Sequence, residues 1–130
     1  MESPDTQVTE FYRALDNGEF DSAGKKLASE AELIFNSRPP VKGRDQILQL
    51  AQSLQQKVNS LIHDIERNTV DPEKQVVLSE QAVTYHFSDG DQITVQAANV
   101  MDFADEQITR WQIYADMREV DQKMEALAAG

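Results

Sequence analysis

The sequence predicts an α+β domain in which three helices cover one face of an antiparallel sheet. Three stretches, at 75–87, 92–103 and 107–117, alternate apolar and polar residues and are joined by two short turns, a pattern typical of an antiparallel meander. Two helical patterns open the chain, and a short strand, a third helix and one more strand precede the meander. Because helices and strands do not alternate regularly, the order favours α+β over a fold of βαβ units.

The N-terminal region is predicted to form two helices. The first covers about 4–16, because Ser3, Pro4 and Asp5 supply a cap, a first-turn proline and an acid at the positive helix end. Its apolar stripe consists of Val8, Phe11, Tyr12 and Leu15 and ends at the turn Asn17-Gly18. A shorter helix, to about residue 28, repeats this spacing with Phe20, Ala23, Gly24 and Leu27. Both stripes are expected to point inward.

The middle of the chain is predicted to contain a strand, a helix and a second strand. Glu32–Phe35 is brief and apolar, and two prolines that follow it cannot continue a strand or a helix. A third helix runs from Arg44 to near Ser60, with apolar residues at helical spacing. The segment 62–70 alternates as a strand and leads through an Asp-Pro turn into the meander.

Length, charge and composition restrict the partners and the compartment. The 130 residues form a single domain, 1–130, with 1–3 and 121–130 expected to be loosely ordered and the last segment to be a frayed helix. The formal net charge of −11 repels phosphate backbones and anionic membranes, so neither nucleic acid nor membrane is an expected partner. The absence of cysteine and of a signal-peptide pattern predicts a soluble cytoplasmic protein. No cofactor is expected.

The turn at 88–91, with the sequence Ser-Asp-Gly-Asp, predicts which side chains share a face of the sheet. Asp-Gly between alternating strands favours a two-residue hairpin loop. That loop would place His86 opposite Ile93 on the concave face, together with Glu80 and Asn99, and would turn Tyr85 and Val83 outward.

The next turn is open to two interpretations. A three-residue loop through 104–106 would align Asn99 with Trp111 and place Trp111 and Ile113 inward, whereas a two-residue loop would expose Trp111. We favour the first, because it buries the single tryptophan. The same register, carried back along the chain, brings His63 near Ala82 on the concave face.

These assignments predict a mostly apolar pocket with a few polar groups, as is typical of a small-molecule site. Its expected ligand-binding walls are Phe11, Tyr12, Phe35, Leu54, His63, Val95, Trp111 and Ile113. The candidate catalytic pair is His86, whose imidazole titrates near neutrality, and Asn99, whose buried amide needs a partner. Space-filling and structural roles for both residues remain open. His63 and His86 have no third ligand at a recognisable spacing, so no metal site is expected.

Three segments carry a family resemblance: FYRALDNGEFD, VKGRDQI and VMDFADEQITRWQIYAD. With them the chain resembles the nuclear-transport-factor-two-like superfamily, specifically its SnoaL-like and ketosteroid-isomerase-like branch. The resemblance covers nearly the whole chain. It implies a cone-shaped barrel, of the cystatin-like type, made of a curved antiparallel sheet covered by three N-terminal helices.

The resemblance is weaker for catalytic groups. The ketosteroid isomerase tyrosine, oxyanion aspartate and base correspond to Phe11, Asn99 and the neighbourhood of Phe35, so two of the three chemical groups are missing. The Asp-Arg-Asp set of epoxide hydrolase relatives has no convincing equivalent. The late acidic residue of polyketide cyclase relatives corresponds to Asp116, which strand parity places outward beside Tyr114.

Two functions remain open. The first is a pocket for a small hydrophobic or aromatic molecule with acid–base chemistry, as an isomerase, cyclase or hydrolase. The second is a non-catalytic ligand-binding or dimerisation domain of the same fold. The convex face is predicted to pair two copies into a homodimer, since it would expose Val83, Tyr85, Gln96, Ala98, Val100, Gln112 and Tyr114.

Overall fold

The computed structural model describes residues 2–129, which form four helices and six strands. In chain order the elements are α1 (Pro4–Asp16), α2 (Phe20–Lys25), β1 (Leu27–Phe35), β2 (Val41–Lys42), α3 (Arg44–Lys57), β3 (Ser60–Asp71), β4 (Val76–His86), β5 (Gln92–Ala104), β6 (Gln107–Ala115) and α4 (Arg118–Ala129). The predicted α+β class is confirmed. Within the described residues, no helix is both long enough and apolar enough to cross a membrane.

The six strands form one sheet in the order β2-β1-β6-β5-β4-β3. Neighbouring strands are antiparallel except β1 and β6, which run parallel. The sheet curves but does not close, because the edge strands β2 and β3 do not pair with each other. The cone-shaped barrel implied by the resemblance is therefore an open, curved sheet and not a closed barrel. Its concave face is covered by α1, which packs on β3 and β4, and by α3, which packs on β1.

The start of β1 differs from the sequence prediction. Helix α2 was expected to reach residue 28, but it ends at Lys25, and β1 begins at Leu27 instead of Glu32. The physical reason is pairing with β6. Leu27 pairs with Ile108, whose backbone N–H donates to the Lys26 carbonyl at 2.7 Å. The apolar spacing that predicted a longer helix therefore belongs partly to a buried strand.

The β4–β5 hairpin has a different register from the predicted one. Its loop is one residue longer, because the Gly90 N–H donates to the Phe87 carbonyl and Gly90 adopts a φ of +94°. Tyr85 consequently pairs with Ile93, and His86 pairs with Gln92. A shift of one residue exchanges the two faces of a strand. The predicted orientations in β4 are therefore wrong: Val83 and Tyr85 point into the core, whereas His86 and Glu80 point away from it.

The β5–β6 hairpin reaches the predicted orientation by another route. Its loop has two residues, Asp105 and Glu106, both with positive φ, which is the requirement of a tight hairpin turn. Such a loop alone would expose Trp111. However, the register shifts between Asp102 and Phe103, so that Thr109 is an extra, bulged residue in β6. The bulge restores the alternation, and Trp111 and Ile113 face the concave side.

The buried residues form two clusters. The larger lies between α1 and the sheet and includes Phe11, Tyr12, Met101 and Trp111. The smaller joins β4 to α4 through Tyr85, Phe87 and Val120. The predicted C-terminal helix exists as α4 and starts at Arg118. The looser order predicted for 1–3 and 121–130 stays a prediction, and Met1 and Gly130 lie outside the described residues.

Candidate functional site

A cavity of about 110 Å³ lies between the concave face of the sheet and the helices α1 and α3. Most of its walls are aliphatic or aromatic, and its polar side chains are few. The predicted wall residues that line it are Phe35, Leu54, His63, Val95, Trp111 and Ile113, and the candidate catalytic residue Asn99 lines it as well. The predicted ligand-binding residues Phe11 and Tyr12 lie behind this wall. They are almost fully buried and meet the Trp111 indole edge to face.

His63 and Asp16 form a hydrogen-bonded pair at the edge of the cavity. Asp16 is the last residue of α1, and its Oδ1 lies 2.6 Å from Nδ1 of His63. Its Oδ2 accepts the backbone N–H of His63 at 2.8 Å. The imidazole also packs on the Tyr12 ring, with 4.6 Å between ring centroids. Because Nδ1 and one face of the ring are engaged, Nε2 is the nitrogen left for a molecule in the cavity.

The sequence predicted His63 on the concave face, and this is correct. It paired His63 with the wrong residue of β4 and did not identify Asp16 as its partner. His63 pairs with Val83, not with Ala82. Asp16 ends the first helix, and the sequence does not show its pairing with His63, because the two residues are 47 positions apart. The available signal was its position one turn after Tyr12, which puts both residues on the buried side of α1.

Tyr12, Asn99 and Trp111 form a buried network behind the cavity. The indole N–H of Trp111 donates to the Tyr12 hydroxyl at 2.8 Å and to Asn99 Oδ1 at 3.2 Å. The Tyr12 hydroxyl in turn donates to Asn99 Oδ1 at 2.7 Å. Because an indole can only donate, the atom facing it must be the amide oxygen of Asn99. The remaining amide group, Nδ2, approaches the Ser79 carbonyl at 3.4 Å and is the donor that Asn99 has left for a ligand.

Burial keeps Tyr12, behind the cavity, and Tyr85, on its wall, neutral. Burial raises the pKa of the Tyr12 phenol far above its ordinary value, and hydrogen bonds from Trp111 and Gln81 offset this only in part. Burial, with the nearby charge of Asp121, raises the pKa of Tyr85 to about 12. Neither phenol is therefore suited to act as a base near neutral pH.

Gln81 is a cavity residue that sequence reasoning missed. It is completely buried, lines the cavity and donates from Nε2 to Ser79 Oγ at 3.0 Å. Its Oε1 has no hydrogen-bond partner among the described residues. The incorrect β4 register concealed it, because that register turned every second β4 residue, including Gln81, to the outer face. The apolar residues around it, Val83 and Tyr85, were the signal for the correct register.

Two of the proposed catalytic residues lie outside the cavity. His86 faces the convex side, so the prediction that it shares the pocket wall with Asn99 is wrong for the register reason given above. Asp116 is exposed after the end of β6, where its Oδ1 accepts the backbone N–H of Arg118 at 3.1 Å. Glu80 also faces outward and pairs with Arg67. Within residues 2–129, no group of three or more His, Asp or Glu side chains is placed to hold a metal ion.

Comparison with known families decides the identity of this fold. Residues 8–111 match the model of the SnoaL-like domain. The chain belongs to the SnoaL-like domain family. Among curated proteins, none matches this SnoaL-like chain significantly.

Solved structures share the architecture of this SnoaL-like domain at low sequence identity. A provisionally assigned polyketide cyclase from Xanthomonas campestris has a TM-score of 0.82 at 23% identity, over 94% of this chain and 96% of that one. An LEH-like epoxide hydrolase from M. tuberculosis has a TM-score of 0.80 at 20% identity, over 95% and 90%. A ketosteroid isomerase-like protein from Catenulispora acidiphila, in complex with trimethylamine, has a TM-score of 0.74 at 18% identity, over 83% of each chain. At these identities the likeness establishes the fold alone.

Proposed function

We propose that this SnoaL-like domain binds a compact, largely apolar molecule in its cavity and transfers a proton on it through His63. The observation that carries this proposal is the His63–Asp16 pair at the edge of an otherwise apolar cavity. A carboxylate that accepts from Nδ1 fixes the tautomer in which Nε2 carries a lone pair. It also stabilises the imidazolium that forms when Nε2 takes a proton, in the way that a buried aspartate supports a catalytic histidine.

Asn99 supplies the complementary group for such a reaction. Removal of a proton from a carbon beside a carbonyl leaves negative charge on the carbonyl oxygen. Asn99 lines the same cavity, and Trp111 and Tyr12 fix the orientation of its amide so that Nδ2 is the donor. We therefore infer that His63 removes the proton, Asn99 holds the developing oxyanion, and Asp16 positions the imidazole. Return of the proton to another carbon completes an isomerisation.

The size of the cavity limits the substrate. An apolar cavity of ~150 Å³ holds one benzene molecule, so a cavity of about 110 Å³ suits a compact molecule with no more than about one ring. The trimethylamine bound by the Catenulispora acidiphila neighbour is also compact. This favours a small apolar substrate over a polycyclic one.

A non-catalytic binding domain is the second candidate, and one observation favours it. Asp16 Oδ2 accepts the backbone N–H of His63, which ties the end of α1 to β3. The Asp16 carboxylate would be needed to hold α1 against β3 even if the imidazole transferred no proton.

Deuterium exchange separates the two candidates. The protein is incubated in deuterium oxide with a panel of one-ring and acyclic ketones, and incorporation beside the carbonyl is followed by proton NMR. Exchange that is lost in His63→Asn and retained in His86→Asn supports proton transfer by His63. Bound ketones without exchange above the buffer rate would favour the binding domain instead.

We also propose that the convex face of the sheet pairs two copies in the cytoplasm. Three apolar side chains on this face are well exposed: Ile62 at 48%, Leu78 at 38% and Tyr114 at 51%. Exposed apolar area of this kind is often covered by a partner, and a two-fold dimer uses the same patch on both copies. Light scattering at micromolar concentration tests this, with twice the chain mass of 14.7 kDa expected for the wild type and a single chain mass for Tyr114→Glu. A single chain mass for the wild type would refute the pairing.

A further inference from the structure

The carbonyl oxygen of Gln81 is a buried acceptor without a partner, on a residue that lines the cavity. Three buried side-chain oxygens in residues 2–129 lack a partner, on Gln7, Asn68 and Gln81, and only that of Gln81 belongs to a residue that lines the cavity. A buried polar atom without a partner costs about 1–3 kcal/mol. The buried oxygens of native proteins are nearly always satisfied. A ligand that brings a donor to this atom would recover the loss.

The hydrogen bonds around Gln81 fix which of its two terminal atoms is free. Nε2 donates to Ser79 Oγ, and while burial raises the pKa of the Tyr12 phenol, a hydrogen bond from the Gln81 side chain lowers it in part. The proton of that phenol is already donated to Asn99 Oδ1. The phenol oxygen can therefore only accept from Gln81, which requires the amide nitrogen on that side. Oε1 is left as the free atom of the side chain.

The charges around the cavity determine which ligand group can donate a hydrogen bond to Gln81 Oε1. Among the described residues that line it, His63 is the one titratable group that gains a positive charge, and none is Asp, Glu, Lys or Arg. An ammonium ion would lose its hydration there, and Asp16, the carboxylate at the cavity edge, is already engaged by His63, so its burial is strongly unfavourable. A hydroxyl group has no such penalty. It can donate to Gln81 Oε1 while its oxygen accepts from a neighbouring donor.

We propose that Gln81 is the specificity-determining residue of the cavity and that it selects compact neutral molecules that carry a hydroxyl group. The role of Gln81 rests on the proposed function in one respect, namely that the ligand binds in the same cavity. Binding requires no chemistry by His63. The hydroxyl donates to Gln81 Oε1, and the apolar frame of the ligand packs against the aliphatic walls. Molecules of the same shape without a donor leave Oε1 unpaired and bind more weakly.

Phenol and toluene test this inference, because they differ by a hydroxyl and a methyl group on the same ring. Dissociation constants are measured by NMR titration for the wild type and for Gln81→Leu. A neutral hydrogen bond contributes about 0.5–1.5 kcal/mol, so the wild type is expected to prefer phenol by about two- to tenfold. In Gln81→Leu the preference is expected to disappear, because toluene binds at least as well as before.

Two further variants make the test decisive. Gln81→Met keeps the length of the side chain and, with circular dichroism of each variant, guards against a loss of folding. Gln55→Leu is the matched control, because Gln55 also lines the cavity but donates from Nε2 to the Leu15 carbonyl. The phenol preference is expected to persist in Gln55→Leu and to vanish in both Gln81 variants.

The results also separate this inference from the proposed function. Equal affinities in the wild type, no saturable binding of either compound, or a preference retained in the Gln81 variants would overturn the role of Gln81. The preference is expected to persist in His86→Asn, whose side chain lies on the convex face. A failure of deuterium exchange with an intact phenol preference would therefore remove the catalytic proposal and leave the selectivity of Gln81 in place.

Discussion

Asp16 holds His63 at two points, through Oδ1 to the imidazole Nδ1 at 2.6 Å and through Oδ2 to the backbone N–H at 2.8 Å. The first contact sets the tautomer of the ring, and the second sets the position of β3 relative to the end of α1. This relationship places a histidine with one free nitrogen beside an apolar cavity. It is the feature from which a proton-transfer role follows.

Asp16→Asn tests the first of these contacts. An amide at this position no longer stabilises an imidazolium, so the rate of deuterium exchange is expected to fall by up to about 10⁴-fold, the effect of the same change at the aspartate that orients a catalytic histidine. Ligand affinity is expected to change little. Asp21→Asn, at an exposed position in α2, is the matched control and should exchange at the wild-type rate. Equal rates in the two variants would show that the Asp16 carboxylate has no catalytic effect.

Tyr12→Phe tests the buried network. The change removes the hydroxyl that accepts from Trp111 and donates to Asn99. Loss of a buried hydrogen-bond partner costs about 1–3 kcal/mol, and urea denaturation is expected to show a decrease of this size in the free energy of unfolding. Tyr114→Phe, at a position that is half exposed on the convex face, should change it by less than about 0.5 kcal/mol. Similar values for both variants would mean that the network adds nothing to stability.

The raised pKa values of Tyr12 and Tyr85 predict a loss of stability at alkaline pH. Both phenols are neutral below the pKa near 10 of the unfolded chain, where their burial is fully favourable. Above that pH the unfolded chain ionises first, so stability decreases as the pH rises toward the folded pKa of about 12 for Tyr85. Each tyrosine contributes a slope of up to about 1.4 kcal/mol per pH unit.

Urea midpoints between about pH 9 and 12 measure this slope. Tyr85→Phe should flatten it relative to the wild type, because one of the two buried phenols is gone. The exposed Tyr114→Phe should leave the slope unchanged. If stability decreases with pH as steeply in Tyr85→Phe as in the wild type, the ionisation of Tyr85 does not contribute to that decrease.

The ion pairs of Lys123 are expected to slow the local opening of α4, which packs on the smaller buried cluster. Its ammonium pairs with Asp89 and Asp91 in the β4–β5 loop, and it lies 5.9 Å from the Phe87 ring centroid. Within α4, Val120 is buried and Met124 and Leu127 pack against the same cluster, so the ion pairs add to an apolar attachment. Lys123→Met is expected to speed hydrogen exchange of the α4 amides, and raised salt should do the same to the wild type.

Mass spectrometry of hydrogen exchange checks this, with Lys57→Met at an exposed position in α3 as the control. The amides of α1 should be unaffected in both variants. If exchange in α4 is the same for Lys123→Met and for the control, the ion pairs do not hold the helix.

The sequence was sufficient for α1 and for the β5 and β6 side of the concave face. The stripe of Phe11 and Tyr12 on α1 is unambiguous, because four apolar residues repeat at helical spacing. Trp111 and Ile113 were oriented correctly even though the loop differed. The bulge at Thr109 and the shorter loop each shift the register by one in the same direction, so that Asn99 pairs with Ile113 and not with Trp111. A total shift of two residues leaves every side chain on its predicted face.

The orientation of β4 could not be predicted in the same way. Asp89-Gly90 is compatible with loops of two or three residues, and a difference of one residue exchanges every side chain between the faces. That single ambiguity displaced His86 into the predicted pocket and removed Gln81 and Tyr85 from it. The pair of Asp16 and His63 was inaccessible for another reason, since it depends on how α1 lies across β3 and not on any local pattern.

Nitrogen-15 NMR of the imidazole rings shows which nitrogen of His63 carries the proton, on which its proposed role as a base depends. The chain contains two histidines, so a spectrum of His86→Asn identifies the signals of His63. We expect His63 to carry its proton on Nδ1, with an unprotonated Nε2 whose signal moves when phenol enters the cavity, while the signals of His86 in the wild type stay unchanged. A proton on Nε2 of His63 would exclude this nitrogen as the base. A response to phenol at His86 alone would show that His63 does not contact the ligand.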